Sequence, residues 1–217
     1  MRREMIKAVI FDMDGVIIDS ERVHFAAYRK LLEKNGKRIT EEQYKPWFGI
    51  QPRVTIRNFL GVEDEAKLKE MALEKDQYFR EFARKELEPM DGALESLRKI
   101  KSYGYKVALA TAATWGNTEL ILDKLFLHDF FDAVVTAADT KKGKPDPEVF
   151  IKAAEKLGVI PENCIVVEDS KHGIEAARNA GMKCIAVATT NKPDELTMAD
   201  KVVKGIGEIT LNMLKGL

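Results

Sequence analysis

Two aspartates separated by one residue dominate the chemistry available to this chain. In Ala8-Val-Ile-Phe-Asp12-Met-Asp14-Gly15-Val-Ile-Ile-Asp19-Ser20, β-branched and aromatic residues end abruptly in acids and a glycine. Such a run reads as a buried strand of a parallel sheet. The acids then lie just past its carboxyl end, where open α/β sheets bind ligands, and Gly15 lets the chain turn. No basic residue adjoins the pair, so a cation or a shared proton must offset their charge. Metal-assisted chemistry at Asp12 is the expectation.

Three further polar groups follow apolar runs. Thr111 ends Val107-Ala-Leu-Ala-Thr111, Lys144 lies in Lys141-Lys-Gly-Lys-Pro-Asp-Pro147, and Glu168-Asp169 ends Ile165-Val-Val-Glu-Asp-Ser170. One such residue after a strand is commonly a helix cap or a solvated loop group. In a parallel sheet, however, strand ends of one kind share an edge, so the four groups converge. The set suits phosphoryl transfer to a carboxylate. A phosphate dianion about 4 Å from Asp12 meets roughly 4 kcal/mol of repulsion per unit pair at an effective dielectric near 20. A divalent cation removes that barrier, and an all-oxygen ligand set suits Mg²⁺. Lys144 adds fixed positive charge and Thr111 a hydroxyl donor, while Asp14 is placed to protonate the leaving oxygen and deprotonate a water.

The elements that must position these groups follow from the apolar pattern. Strands are predicted at Lys7–Asp12, Lys106–Thr111, Ala133–Thr136, Cys164–Glu168, Lys183–Val187 and, more weakly, Lys201–Val203. Helical periodicity fills Gly92–Lys101, Pro147–Leu157 and Ser170–Ala180. Strand and helix in alternation imply βαβ units and a Rossmann-like parallel sheet with helices on both faces. One connection is too long. A single crossover helix, Gly92–Lys101, leaves most of the stretch between Asp12 and Thr111 unexplained. Glu21–Lys34 and Asp64–Arg84 have helical patterns, and Pro46-Trp47-Phe48-Gly49 and Gln51-Pro52-Arg53 read as helix breaks. The expected organisation is core at 1–18, a small α-helical cap at 19–86 inserted after the first strand, and the remaining core at 87–217. A lid above the ligand edge is the expected use of such an insert.

Composition excludes other classes. Of 217 residues, Lys+Arg and Asp+Glu are 35 each, so the formal net charge is zero. A nucleic-acid or anionic-membrane binder needs a basic excess. The positive start Met1-Arg-Arg is followed by an apolar run broken by Lys7 and Asp12, unlike a signal peptide, and no run reaches the length of a membrane span. A cytoplasmic protein is expected, and nothing in the pattern demands more than a monomer. The 32% charged content, rich in Lys and Glu, is at most weak evidence of heat adaptation. Cys164 and Cys184 read as small buried hydrophobes rather than a disulfide.

With these residues in order, the chain resembles the haloacid dehalogenase superfamily, in its β-phosphoglucomutase-like phosphatase branch. The resemblance rests on Asp12-Met-Asp14-Gly15-Val-Ile-Ile-Asp19-Ser20, Thr111, Gly143-Lys144-Pro145-Asp146-Pro147 and Val167-Glu168-Asp169-Ser170-Lys-His-Gly173. It implies that Asp12 is the nucleophile forming an aspartyl-phosphate, and that Asp14 is the general acid/base with its backbone carbonyl on Mg²⁺. Thr111 and Lys144 would hold the phosphoryl group. Asp169 would ligate the ion, with Glu168 nearby or bridging through water. The superfamily's dehalogenases lack an acid at the position of Asp14, so phosphate esters are favoured over carbon–halogen bonds. No cap lysine that could form the Schiff base of the phosphonate-cleaving relatives is identified.

For the cap, the resemblance implies that His24 matches a histidine of the mutases and many phosphatases, and that Arg80 matches a cap lysine. Arg53 is placed to reach a second phosphate or a sugar hydroxyl, although mutases carry their arginine where this chain has Pro52. After Thr111 the family often has Ser or another polar residue, where Ala112-Ala113 stand here, and Asn117 is the candidate substrate-binding Asn. The plain alternative for these cap residues is a solvated helix face or helix-end charge. Lys141 and Lys142 read as solvated, and Trp47-Phe48 as cap core. The implied activity is Mg²⁺-dependent hydrolysis of a small phosphorylated metabolite such as a sugar phosphate. A phosphomutase shares every core residue. A non-enzymatic phosphoacceptor domain uses similar residues, but with the nucleophile after the third strand and no insert.

Overall fold

A computed structural model describes residues 5–217; the positive start at Met1–Arg3 lies outside them. The chain divides into two compact units, Ser20–Glu88 and the remainder.

The larger unit is built on a six-stranded sheet. Its strands are β1 (Ala8–Phe11), β2 (Lys106–Ala110), β3 (Ala133–Val135), β4 (Cys164–Glu168), β5 (Lys183–Val187) and β6 (Lys201–Val203). Their order is β3-β2-β1-β4-β5-β6, all parallel. β1 is central and wholly buried, as its unbroken apolar run requires. Phe11 pairs with Leu109 on one side and Val167 on the other. That register sets the ends of β1, β2 and β4 within about one residue of each other. The chain runs outward from β1 to β3 on one side and returns to β4 on the other, so the topological switch falls beside β1.

Even-numbered strand residues Ala8, Ile10, Ala108, Ala110, Cys164, Val166, Cys184 and Ala186 form one core. They pack with Val149, Phe150 and Ala153 of α7 (Glu148–Leu157) and with Ile174 and Ala177 of α8 (Lys171–Asn179). Small residues on the sheet let these helices lie close. Odd-numbered residues, among them Val9, Phe11, Val107, Leu109, Ile165, Val167 and Ile185, are equally buried and face the other way. Each such side chain removed from water contributes about 1.5–3 kcal/mol. The remaining helices of this unit are α5 (Ala93–Ser102), α6 (Trp115–Lys124) and α9 (Leu211–Gly216). Cys164 and Cys184 are free and buried; they lie on adjacent strands, but Cys184 pairs in register with Val166, so the two are not directly opposite.

The inserted unit is helical: α1 (Glu21–Lys34), α2 (Glu41–Tyr44), α3 (Pro52–Leu60) and α4 (Glu65–Glu86). Its core comprises Tyr28, Leu31, Leu32, Tyr44, Ile56, Leu68 and Met71, with Trp47 and Phe48 packed against it. α1 and α4 pack together, bridged by Lys30–Glu81 at 2.7 Å and Lys34–Glu74 at 2.6 Å. Thr40 and Gln43 close α2 with a reciprocal capping box, and Asp64 caps α4 by accepting from Lys67 N–H at 2.6 Å. The sequence suggests a break at Gln51-Pro52-Arg53, but Pro52 instead opens α3. At the first helical position its missing N–H has no partner to lose. Among the described residues, no helix is long and apolar enough to cross a membrane.

The loop from β3 to α7 carries Lys144 and is tied down by Glu148. That carboxylate accepts Lys141 N–H at 2.8 Å and Lys142 N–H at 3.0 Å, and pairs with Lys152 at 3.0 Å. The Lys142 amide, the Lys152 ammonium and the Lys141 amide hold it down at about 2. A lowered carboxyl stabilises above its ordinary 4.5, and the benefit fades as pH falls toward 2. Glu148→Gln should therefore speed hydrogen exchange at the Lys141 and Lys142 amides severalfold at neutral pH while sparing those of β1 and β4. Unchanged exchange at both amides would show that the carboxylate is not what holds the loop.

Candidate active site

At the switch point, Lys144 joins the ends of β1 and β4. Its ammonium lies 2.5 Å from Asp12 Oδ1 and 2.5 Å from Glu168 Oε1. All three groups are nearly removed from solvent. Asp12 extends β1, its amide donating to Val167 O at 3.0 Å. Asp169 follows Glu168, and ligand oxygens of Asp12, Glu168 and Asp169 lie within 4.8 Å of one another. Three carboxylates thus face one ammonium, and the Asp14 carboxylate adds to the potential felt by Asp12.

Burial is the largest influence on Asp12. Lys144 opposes it, Glu168 and Asp14 reinforce it, and the carboxyl is pushed up from 3.8 to about 7. Asp169 is raised by burial, then by Glu168 and Asp12, against the Thr190 hydroxyl and Lys144. Burial would also raise Glu168, but Lys144 and the Ser170 amide and hydroxyl overcome it and hold the group below its ordinary range. For Lys144, burial would favour the neutral amine, yet Asp12 and Glu168 outweigh it and keep the ammonium charged.

Glu168 is bonded through both oxygens. Oε1 takes Lys144, while Oε2 accepts Asp169 N–H at 2.8 Å, Ser170 N–H at 2.7 Å and the Ser170 hydroxyl at 2.9 Å. Ser170 in turn caps α8 by accepting Gly173 N–H at 3.1 Å. The negative charge therefore lies against a helix N-terminus, which favours it. Gly173 is required here, because a Cβ would fall 1.8 Å from Glu168 Oε1. Gly15 is constrained in the same way: it has φ +74, and a Cβ would meet Asp169 Oδ2 at 2.1 Å.

Thr111 is buried at the end of β2. Its amide continues the ladder to Val135 O at 2.9 Å, and its hydroxyl accepts Ala113 N–H at 3.1 Å. Register places it along the same edge as Asp12. Asn117 lies buried in the first turn of α6.

The other expected substrate residues belong to the inserted unit. His24 stacks on Phe79 with centroids 4.3 Å apart, and its Nδ1 lies 2.9 Å from Lys75 Nζ. Arg53 is exposed and pairs with Glu65 at 3.6 Å. Arg80 is half-buried on α4.

The sequence reading missed two groups. Lys75 is buried, 3.3 Å from Asp76 and over the rings of Tyr28 and Phe79 at 5.1 and 5.3 Å. Its position on the same apolar face as Leu68, Met71 and Phe79 was the available signal. Thr189-Thr190-Asn191, after β5, touch the edge through the Thr189 hydroxyl on Gly15 O at 2.6 Å and the Thr190 hydroxyl on Asp169 Oδ2. Their own position past a parallel strand was the signal there.

These acids offer only oxygen to a cation, exceed the positive charge beside them, and lie too close to be ionised together without help. A hard divalent ion fits that donor set. Comparison with known proteins places the chain. A family model described as haloacid dehalogenase-like hydrolase matches residues 9–187. A phosphorylated carbohydrates phosphatase of Thermotoga maritima is 37% identical over 217 residues, covering 97% of this chain and 99% of that one. A beta-phosphoglucomutase of Bacillus subtilis is 32% identical over 218 residues, covering 96% and 94%. A haloacid dehalogenase hydrolase of family IA, variant 3, from Entamoeba histolytica superposes with a TM-score of 0.90 at 27% identity, covering 97% and 98%. The chain belongs to the haloacid dehalogenase-like hydrolase family.

Proposed function

We propose that the protein is a Mg²⁺-dependent phosphatase of small phosphomonoesters, with sugar phosphates as the substrate class, working through an aspartyl-phosphate on Asp12. The observation that carries the reading is Asp12 meeting Lys144, Glu168 and Asp169 at one sheet edge. The substrate class is supported by the Thermotoga relative, which is named for phosphorylated carbohydrates.

Asp12 attacks phosphorus, and the ester oxygen leaves with a proton from Asp14. Asp14 then takes a proton from water as that water attacks the aspartyl-phosphate, so Asp12 is regenerated and inorganic phosphate leaves. Lys144 neutralises charge on the phosphoryl oxygens, and Thr111 donates its hydroxyl hydrogen to one of them. Asp12, Asp169 and the Asp14 carbonyl would hold Mg²⁺. The bound ion would offset the repulsion between nucleophile and ester. Glu168 fixes Lys144 and stands beside the ion, directly or bridging through water. The 19–86 segment acts as the cap, with His24, Arg53 and Arg80 contributing substrate selection and Asn117 assisting from α6. The proposal places the enzyme in the cytoplasm, in keeping with two free thiols.

A second reading is a phosphomutase, favoured by the Bacillus relative. There a sugar hydroxyl, not water, discharges Asp12. Phosphate release from a panel of sugar phosphates, run beside an isomerisation assay on glucose 1-phosphate, separates the two.

Asp12→Asn should lower turnover more than about a thousandfold with little change in melting temperature; retained hydrolysis would remove Asp12 as the nucleophile. Asp14→Asn should cost about 10²–10⁴-fold. EDTA should abolish activity, and Mg²⁺ restore it.

Stability of the chelated protein provides a separate test. The folded value of Asp12 lies above its ordinary value, so the native state binds the extra proton and loses stability as pH rises from 3.8 to about 7. Cation binding needs the ionised form and releases that proton. The rise in melting temperature caused by Mg²⁺ should therefore be larger at pH 8 than at pH 5.5. An equal rise at both would show that Asp12 does not give up a proton to the ion.

A further inference from the structure

We propose that Thr190 is a positioning residue that sets the cation preference of this edge, by occupying one oxygen of Asp169 and leaving only the other for the ion. The inference rests on the metal-dependent reading above. The Thr190 hydroxyl has one hydrogen and two acceptors near it, Asp169 Oδ2 and, at 3.3 Å, the Asp169 carbonyl. Asn191 decides between them. Its amide donates to the Asp169 carbonyl at 3.0 Å and to Thr190 Oγ1 at 3.1 Å. The carbonyl is thereby served, a Thr190 lone pair is used, and the Thr190 hydrogen goes to Oδ2.

Oδ2 is also hemmed in by backbone. A Cβ built on Gly15 would fall 2.1 Å from Asp169 Oδ2 and 2.9 Å from Thr190 Cγ2. Thr189, the preceding residue, holds Gly15 through its carbonyl at 2.6 Å. One short segment past β5 thus grips both chain segments that would supply ligands: the Asp14-Gly15 turn and Asp169. Asp169 presents a single oxygen, Oδ1.

That restriction discriminates between ions. Mg²⁺ takes six ligands in strict octahedral geometry, whereas Ca²⁺ takes six to eight and readily accepts both oxygens of a carboxylate. A carboxylate with one oxygen committed denies Ca²⁺ the extra ligand at no cost to Mg²⁺. Losing the hydroxyl frees Oδ2 and also loosens the carboxylate that Mg²⁺ needs held.

The test is a pair of thermal-shift titrations, with Mg²⁺ and with Ca²⁺, on chelator-treated wild type, Thr190→Val, Thr190→Ala and Thr190→Ser. Wild type should respond at lower Mg²⁺ than Ca²⁺. Val and Ala should raise the half-saturating Mg²⁺ about tenfold or more and move the Ca²⁺ response less, so that the ratio narrows. Ser, which keeps the hydroxyl, should retain the wild-type ratio. Ala stands in if the larger Val disturbs the loop. A wild-type ratio in whichever of these variants folds, or a shifted one in Ser, would overturn the proposal. Failure of wild type to respond to either ion would instead sink the metal-dependent reading on which it rests.

Discussion

The structure depends on one buried ammonium between two carboxylates. Lys144, Asp12 and Glu168 come from three separate parts of the chain and meet where β1 and β4 end. Burying such charges is expensive, and mutual attraction recovers the cost only with good geometry and satisfied neighbours. Glu168 meets that condition through the Asp169 and Ser170 amides and the Ser170 hydroxyl. Asp12 meets it less well, as its raised affinity for a proton records. The lysine thus locks the edge while leaving Asp12 under-compensated. A carboxylate in that condition is ready to gain from a cation and an electrophile.

The glycines belong to the same constraint. Gly15 and Gly173 lie at opposite sides of the acid pair Glu168-Asp169, and neither tolerates a Cβ against the carboxylate it faces. Their absence of side chain is what lets turn and helix close tightly around charged groups. Gly173 lies inside the first turn of α8, where an alanine would form helix more readily by about 1 kcal/mol. Local helix preference yields there to the geometry of Glu168. Fold and site are therefore not separable at these positions.

Much of the sheet was legible in the sequence because its strands are fully buried and read as unbroken apolar runs. Cys164–Glu168, Lys183–Val187 and Lys201–Val203 agree at both ends, and the other three differ only by terminal residues. The convergence of Asp12, Lys144, Glu168 and Asp169 was legible for the same reason, since parallel strands align their ends. α6 was not predicted, because Trp115-Gly-Asn-Thr opens it with a glycine and an exposed aromatic in place of an apolar stripe. Pro52 was taken for a break because proline has the same local signature at a helix start and at a helix end. The link of Lys75 to His24 spans 51 positions and depends on how α1 and α4 pack, which no local pattern encodes. The loop Thr189–Asn191 was passed over because threonine and asparagine after a strand usually signal only a turn.

Burial separates the sheet-edge groups, to which we assign the reaction, from the helical-unit residues, to which we assign the choice of substrate. The sheet-edge groups are held by strand register, backbone amides and glycines, so their positions have little freedom. Removing Lys144 leaves two buried carboxylates without their partner, at a cost of about 3–5 kcal/mol for a pair of that kind. Arg53 is exposed, and its pairing with Glu65 at 3.6 Å is the sort of surface contact that contributes little. Its replacement costs the fold almost nothing. His24 and Lys75 lie between these limits, half-buried and buried but confined to a helical unit with its own core. Substitutions on the helices of the inserted unit can therefore accumulate without disturbing the sheet-edge charges, because the two sets of residues draw their stability from different cores.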